Sequence, residues 1–139
     1  MNTKQIIVVR KDLNMRKGKL AAQASHASMA FITKELRPTT KCPELGMPYH
    51  TNPFSTRVEN IDEVYHWLEN SFKKIVCWVN SEEELVALHE KALAARLVSH
   101  LIEDNGATEF NGVKTKTCIC IGPHYDEKFV GITDHLPLL

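Results

Sequence analysis

The chain opens with a β-branched run, passes through a basic loop and enters a long alanine-rich helical pattern, and this order constrains its fold more than any other feature. Gln5 to Arg10 reads Gln-Ile-Ile-Val-Val-Arg, a short apolar run ending in charge that fits a buried strand. Gly18 begins a helical pattern reaching about Leu36. It carries Ala21, Ala22, Ala24, Ala27 and Ala30 beside Leu20, Met29, Phe31 and Ile32. Alanine favours helix and lets a helix lie close to a sheet.

The rest of the chain extends this alternation. From Arg37 to about Glu59, Pro38, Pro43, Pro48 and Pro53 interrupt the sequence, with Gly46 among them. Four prolines fit neither a helix interior nor a central strand, so a long loop is expected at about 37–60. Loops of that length in a compact domain are usually functional or disordered, and Lys41, His50 and Arg57 would suit a lid over nucleic acid. Asn60 with Glu63 has the form of a capping box, followed by Ile61, Val64, Tyr65, Leu68 and Phe72 at helical spacing. Tyr65 and Trp67 could stack bases, but at this spacing core packing is the simpler reading. Lys74 to Val79 reads as a second strand. Ser81 with Glu84 caps a further helix, whose inner face is Leu85, Leu88, Ala92 and Ala95. Val98 to Ile102 makes a third strand. Asn111-Gly112 predicts a tight hairpin joining Thr108–Phe110 to a fourth strand over Thr115–Gly122, which Pro123 should stop. The expectation is an α/β fold: one small three-layer domain spanning 1–139, a four-stranded mixed sheet with helices on both faces, and an insertion at about 37–60.

At 139 residues the chain has room for one good core rather than two. No apolar run approaches the roughly 20 residues that cross a bilayer, so no membrane partner is expected. The start leaves no room for a signal peptide, and a cytoplasmic protein is expected. Basic and acidic residues balance at 17 each, yet Lys4, Arg10, Lys11, Arg16, Lys17 and Lys19 gather in the opening segment against Asp12 alone. One basic face can hold a phosphate backbone despite zero net charge; charge alone leaves that reading level with a solvated loop. Cys77, Cys118 and Cys120 sit in apolar runs and read as small hydrophobes. Cys118-x-Cys120 with His124 lacks the usual zinc spacing, so no metal site is expected.

Two constellations could carry chemistry. Lys19, Gln23 and His26 stand at i, i+4 and i+7, on one face near a helix N-terminus that attracts anions. Asp104, Thr108 and Thr117 flank the turns around the last strands. Read singly, the first is a solvated stripe and the second a turn-forming aspartate with neighbours. They reinforce each other if the first and third strands run the same way, because then Lys19 and Asp104 share one rim. No Gly-x-Ser-x-Gly elbow, His-Glu-x-x-His or phosphate-loop pattern is present, which leaves water-mediated hydrolysis by a carboxylate, a lysine and hydroxyls.

Three strings then form a familiar set: Lys17-Gly18-Lys19-Leu20-Ala21-Ala22-Gln23-Ala24-Ser25-His26-Ala27, Asp104-Asn105-Gly106-Ala107-Thr108, and Ile121-Gly122-Pro123. With the ending Ile132-Thr133-Asp134-His135-Leu136-Pro137-Leu138-Leu139, the chain resembles the second (archaeal and eukaryotic type) family of peptidyl-tRNA hydrolases throughout, apart from roughly 37–60. The resemblance implies a cofactor-free enzyme, often a homodimer, that releases tRNA from peptidyl-tRNA. It implies a site of Lys19, Asp104, Thr108 and Thr117, with Thr115 as an alternative to Thr117. Gln23 and His26 would shape the pocket, and Arg10, Lys11, Arg16 and Lys17 would meet the tRNA. Three departures stand out: Ala107 where the family usually has Arg, Asn111-Gly112 where Pro-Gly is usual, and the insertion, whose Lys41 or Arg57 could replace the missing cation. A non-catalytic RNA- or partner-binding protein on the same fold is the alternative reading.

Overall fold

The computed structural model describes residues 1–36, 41–42, 47–48 and 58–139. Strand β1 spans Thr3–Arg10 and leads through a short 3-10 turn into helix α1, Lys17–Leu36. Two-residue strands β2 (Lys41–Cys42) and β3 (Met47–Pro48) pair antiparallel with each other. Then follow α2 (Ile61–Glu69), β4 (Lys73–Val79), α3 (Glu82–Ala94), β5 (Ser99–Asp104) and β6 (Thr115–Tyr125). The expected lid over 37–60 otherwise falls outside the described residues as far as residue 57, as do the side chains of Lys41, His50 and Arg57.

The main sheet is mixed and open, in the order β4-β1-β6-β5. Strand β1 pairs parallel with β4 and antiparallel with β6, and β5 pairs antiparallel with β6. Because β1 and β5 both oppose β6, they run the same way, and their C-terminal ends open on one rim. This is the condition under which Lys19 and Asp104 could meet.

Alternation along β1 explains the two faces. Ile7 and Val9 pack with Ala27, Cys118 and Cys120 under α1, while Ile6 and Val8 join Leu85, Leu88, Ala92 and Phe129 beneath α3. Helix α2 lies beside α1: Val64 and Trp67 pack on Phe31. Gln5, wholly buried, is satisfied by exchanging hydrogen bonds with Ser28 of α1. Burying that amide is tolerable only because both of its ends are paired.

Several local expectations are corrected. Asn60 and Glu63 form no capping box, since both side chains turn to the end of β6. Asn60 donates to the Pro123 carbonyl at 2.6 Å. Glu63 accepts from the Tyr125 N–H, His124 Nδ1 and Lys128 Nζ. Burial pushes the Glu63 carboxyl up, but the Lys128 ammonium, the Tyr125 N–H and His124 outweigh it and hold it below the usual range. His124 Nε2 accepts from the Val98 N–H, so Nδ1 carries the imidazole proton toward Glu63. Pro123 does not stop β6: the ladder shifts register between Lys4 and Ile6 of β1, where no N–H is needed from it. Asn111-Gly112 makes no hairpin. Phe110–Gly112 form a 3-10 turn, and β5 pairs directly with β6. Tyr65, Leu68, Phe72 and Ala95 are exposed rather than inward. The Ser81 cap is present, its hydroxyl accepting from the Glu84 N–H at 3.1 Å.

Candidate active site

The first turns of α1 bring Lys19 and Gln23 over the C-terminal end of β5. Lys19 Nζ lies 2.8 Å from Asp104 Oδ1 and 2.9 Å from Thr108 Oγ1. Gln23 Nε2 donates to the same Asp104 oxygen at 3.2 Å, and the Gly106 N–H donates to Oδ2 at 2.9 Å. Thr117 Oγ1 donates to Gln23 Oε1 at 2.6 Å. Five of the sequence candidates, Lys19, Gln23, Asp104, Thr108 and Thr117, therefore form one hydrogen-bonded chain running from buried sheet to surface.

The proton directions in this chain are fixed. Thr117 donates to Gln23 Oε1, so the amide must present its NH2 to Asp104. Thr108 accepts from the Lys19 ammonium, which leaves the Thr108 O–H to point elsewhere. Asp104 Oδ1 takes two donors and Oδ2 takes one, so a lone pair on Oδ2 remains for a water or substrate. The Lys19 hydrogen bond lowers the Asp104 pKa against burial, which raises it; Gly106 and Gln23 add to the lowering. Asp104 is thus an ionised carboxylate across the physiological range, suited to orienting a water rather than to keeping its proton.

Thr117 is fully buried and touches the site only through Gln23. Its hydroxyl, expected to position the ester, has no exposed surface and reaches the Asp104 group by its hydrogen bond to Gln23. Thr115, the alternative, turns its hydroxyl to the Val113 carbonyl and stays out of the chain. Gly106 is required by the turn. Its φ is +80°, and a Cβ there would sit 2.5 Å from the Val113 carbonyl oxygen. At Gly18, by contrast, a Cβ would meet nothing within 4 Å, so the packing does not demand glycine there.

The basic candidates divide. Arg10 grips Asp12 with two nitrogens, at 2.7 and 3.2 Å, and donates to the Lys116 carbonyl, so its guanidinium is committed away from the Lys19 group. Lys11 lies over the Trp78 ring at 4.3 Å. Arg16 bonds Glu109 at 2.9 Å and remains largely exposed, and Lys17 is exposed in the first turn of α1. Arg16, Gly18, Lys19, His26, Thr108 and Glu109 line a cavity of about 580 Å³. His26 lies exposed between it and a second cavity of about 380 Å³, whose walls are α1 and β5. Glu109 and Phe110, whose ring lies 5.7 Å from Lys19 Nζ, were not expected from the sequence. Phe110 and Asn111 both have positive φ; the Asn111-Gly112 pair announces the second, but no local residue pattern announces the first. Among the described residues no cluster of His, Cys, Asp and Glu is arranged to hold a metal ion. No helix there is long and apolar enough to cross a membrane.

The chain is similar to known proteins over nearly its whole length. The profile of the family described as "Peptidyl-tRNA hydrolase PTH2" matches residues 3–139. A protein of Methanopyrus kandleri named "Peptidyl-tRNA hydrolase" is 39% identical over 98% of this chain and 97% of its own. One of the same name from Methanocaldococcus jannaschii is 37% identical over 98% of this chain and 99% of its own. Another, from Sulfurisphaera tokodaii, is 37% identical over the full length of both.

Proposed function

Since the chain belongs to the peptidyl-tRNA hydrolase PTH2 family and hydrolyses peptidyl-tRNA, we propose that the Lys19–Asp104 pair, with Thr108, is where the ester is cut. The observation that carries this reading is the single chain of hydrogen bonds from Thr117 through Gln23 and Asp104 to Lys19 and Thr108. It fixes a charge pair at a rim where an ester carbonyl could approach.

In this reading the spare lone pair of Asp104 Oδ2 orients a water toward the carbonyl carbon. Water adds, the carbonyl oxygen becomes an oxyanion, and the nearby Lys19 ammonium and Thr108 O–H stabilise that charge as it develops. Collapse expels the ribose oxygen of the tRNA terminus, which leaves as an alcohol with the proton that the water gave up. Preorganised donors of this kind contribute roughly 2–4 kcal/mol each to a transition state. Because Asp104 is a weak base, most of the work falls on orientation and charge stabilisation, which suffices for an activated ester.

Arg16 and Lys17, beside the open Gly18 and the N-terminus of α1, form the side that meets the tRNA backbone. We place the enzyme in the cytoplasm, where peptidyl-tRNA arises during translation. We also propose a homodimer, supported by the exposure of Tyr65, Leu68 and Phe72 around α2. The test is release of tRNA from N-acetylaminoacyl-tRNA by the purified chain, with unblocked aminoacyl-tRNA as the comparison. Preferential release from the blocked substrate is expected, and turnover of neither would refute the reading.

A further inference from the structure

We infer that the outer edge of β5 binds the peptide part of the substrate as an added strand, through its backbone and irrespective of its side chains. The inference rests on the site reading above and extends it to the acyl side of the ester.

Strand β5 is the last strand of the sheet, and no described residue pairs with its outer edge. The Gly122 N–H bonds the Val98 carbonyl at 2.9 Å, which sets the phase of the ladder. By antiparallel alternation the polar groups of His100 and Ile102 face β6, and those of Ser99 and Leu101 face outward. This edge is not flat solvent. The cavity of about 380 Å³ runs between it and α1, with His26, Met29 and Thr33 on one wall and Leu101 and Glu103 on the other. Farther along, a second hollow continues between Lys34 of α1 and His100.

The groove is continuous with the reacting group. It shares Gln23, His26 and Asp104 with the cavity that contains Lys19 and Thr108. An ester carbonyl held at Lys19 has two substituents to place. The basic, open side at Arg16 and Gly18 suits the tRNA. The side along β5 is left for the acyl chain. With its C-terminal residue at Asp104 and earlier residues toward Ser99, the peptide would run parallel to β5. At about 3.3 Å per residue, β5 offers room for only a few residues.

The chemistry of the substrate calls for such a surface. Stalled peptides have no common sequence, so side-chain pockets would reject most of them. Main-chain hydrogen bonds to a strand edge recognise every peptide alike. A free aminoacyl group has no amide to offer that edge.

The experiment compares kcat/KM on N-acetylaminoacyl-tRNA and on acetyl-di-, tri- and tetrapeptidyl-tRNA, with and without N-methylation of the peptide amides. The expected result is a rise of roughly tenfold from the aminoacyl to the tri- or tetrapeptidyl substrate, a loss of about that factor on N-methylation, and less than about threefold change when side chains are varied. Met29→Trp, a change at an exposed position, should fill the groove and collapse the ratio of tripeptidyl to aminoacyl rates. Rates independent of peptide length and of N-methylation, with N-acetylaminoacyl-tRNA still turned over in a Lys19-dependent way, would overturn the strand-addition inference while leaving the site reading intact. A ratio unaffected by Met29→Trp would also count against it. If none of these substrates is hydrolysed, the site reading falls and this inference with it.

Discussion

Lys19 Nζ and Asp104 Oδ1 lie 2.8 Å apart, each largely shielded from solvent, although 85 residues separate them in the chain. The contact exists because α1 starts, and β5 ends, on the same rim of the sheet. It also sets the protonation of the site. With the Lys19 hydrogen bond holding the Asp104 carboxyl below its usual range, Asp104 stays ionised as pH falls through the ordinary carboxylate values.

The acid side of the pH profile should therefore show Lys19 at work. In wild type, any fall of kcat/KM caused by protonation of Asp104 should lie below the ordinary aspartate range. Lys19→Met removes the main cause of the depressed pKa, so the residual activity should lose its ionised carboxylate at a higher pH. A pH–rate profile of both proteins checks this. An acid limb at the same position in both would mean that Lys19 does not control Asp104.

Thr117 and Thr115 should behave differently. Thr117→Val leaves the buried Gln23 carbonyl without its donor, at a cost of about 1–3 kcal/mol in stability. It also frees the amide to turn, and kcat should fall by about tenfold with KM little changed. Thr115→Val removes only a local bond to Val113 and should be close to neutral. Denaturant midpoints and steady-state kinetics on both variants separate the two. Equal effects would remove the case for Thr117 as the orienting residue.

The exposed rim should govern salt dependence. Arg16→Ala should weaken tRNA binding and lower the slope of log affinity against log salt by about one phosphate contact. Ala107 is exposed beside Thr108, where the family usually carries Arg, and Ala107→Arg should raise affinity and steepen the slope. Filter binding of uncharged tRNA across a salt series measures both. A flat response to either change would place the tRNA elsewhere.

Stability should fall with mild acid. Burial, and then the nearby Lys34 and His89, hold the His100 imidazole down to about 4. The unfolded chain takes up this proton near pH 6.5, so the contribution is intact above that value and is lost as pH falls toward 4. After allowance for partial exposure the loss is on the order of 1–3 kcal/mol. Urea midpoints at pH 7.5 and pH 5 should differ accordingly, and His100→Gln should flatten the difference. His124 and His89, both shifted down by burial, supply the remainder. An unchanged slope in His100→Gln would contradict the assignment.

Much of the fold could be read from the sequence, because periodicity reports burial. The β-branched run at Ile6–Val9, the alanines of α1 and the Ser81 cap each act through local physics. What could not be read was set by distant partners. Asn60 and Glu63 have the spacing of a capping box, but the buried His124 and the Pro123 carbonyl, more than sixty residues on, compete for them and win. Asn111-Gly112 has hairpin chemistry, but Gly106 closes the loop onto Val113 and the Gly112 N–H instead, leaving β5 to pair directly with β6. At the site, residue types and spacing offered Lys19, Asp104 and Thr108 as candidates, the family resemblance singled them out, and strand direction decided that they meet. That Thr117 lies buried behind Gln23, and that Arg10 is taken by Asp12, depended on which side of each element faces solvent.

The most direct test of the account is single-turnover hydrolysis of N-acetylaminoacyl-tRNA by wild type, Asp104→Asn and Lys19→Ala, with tRNA affinity and folding measured in parallel. The account predicts that each variant folds, binds tRNA within a few-fold of wild type and loses roughly 10²–10³ in rate. The double variant should lose little more than either single one, because the two groups act as a unit. Near wild-type turnover by either folded variant would contradict the claim that this charge pair is where the ester is cut.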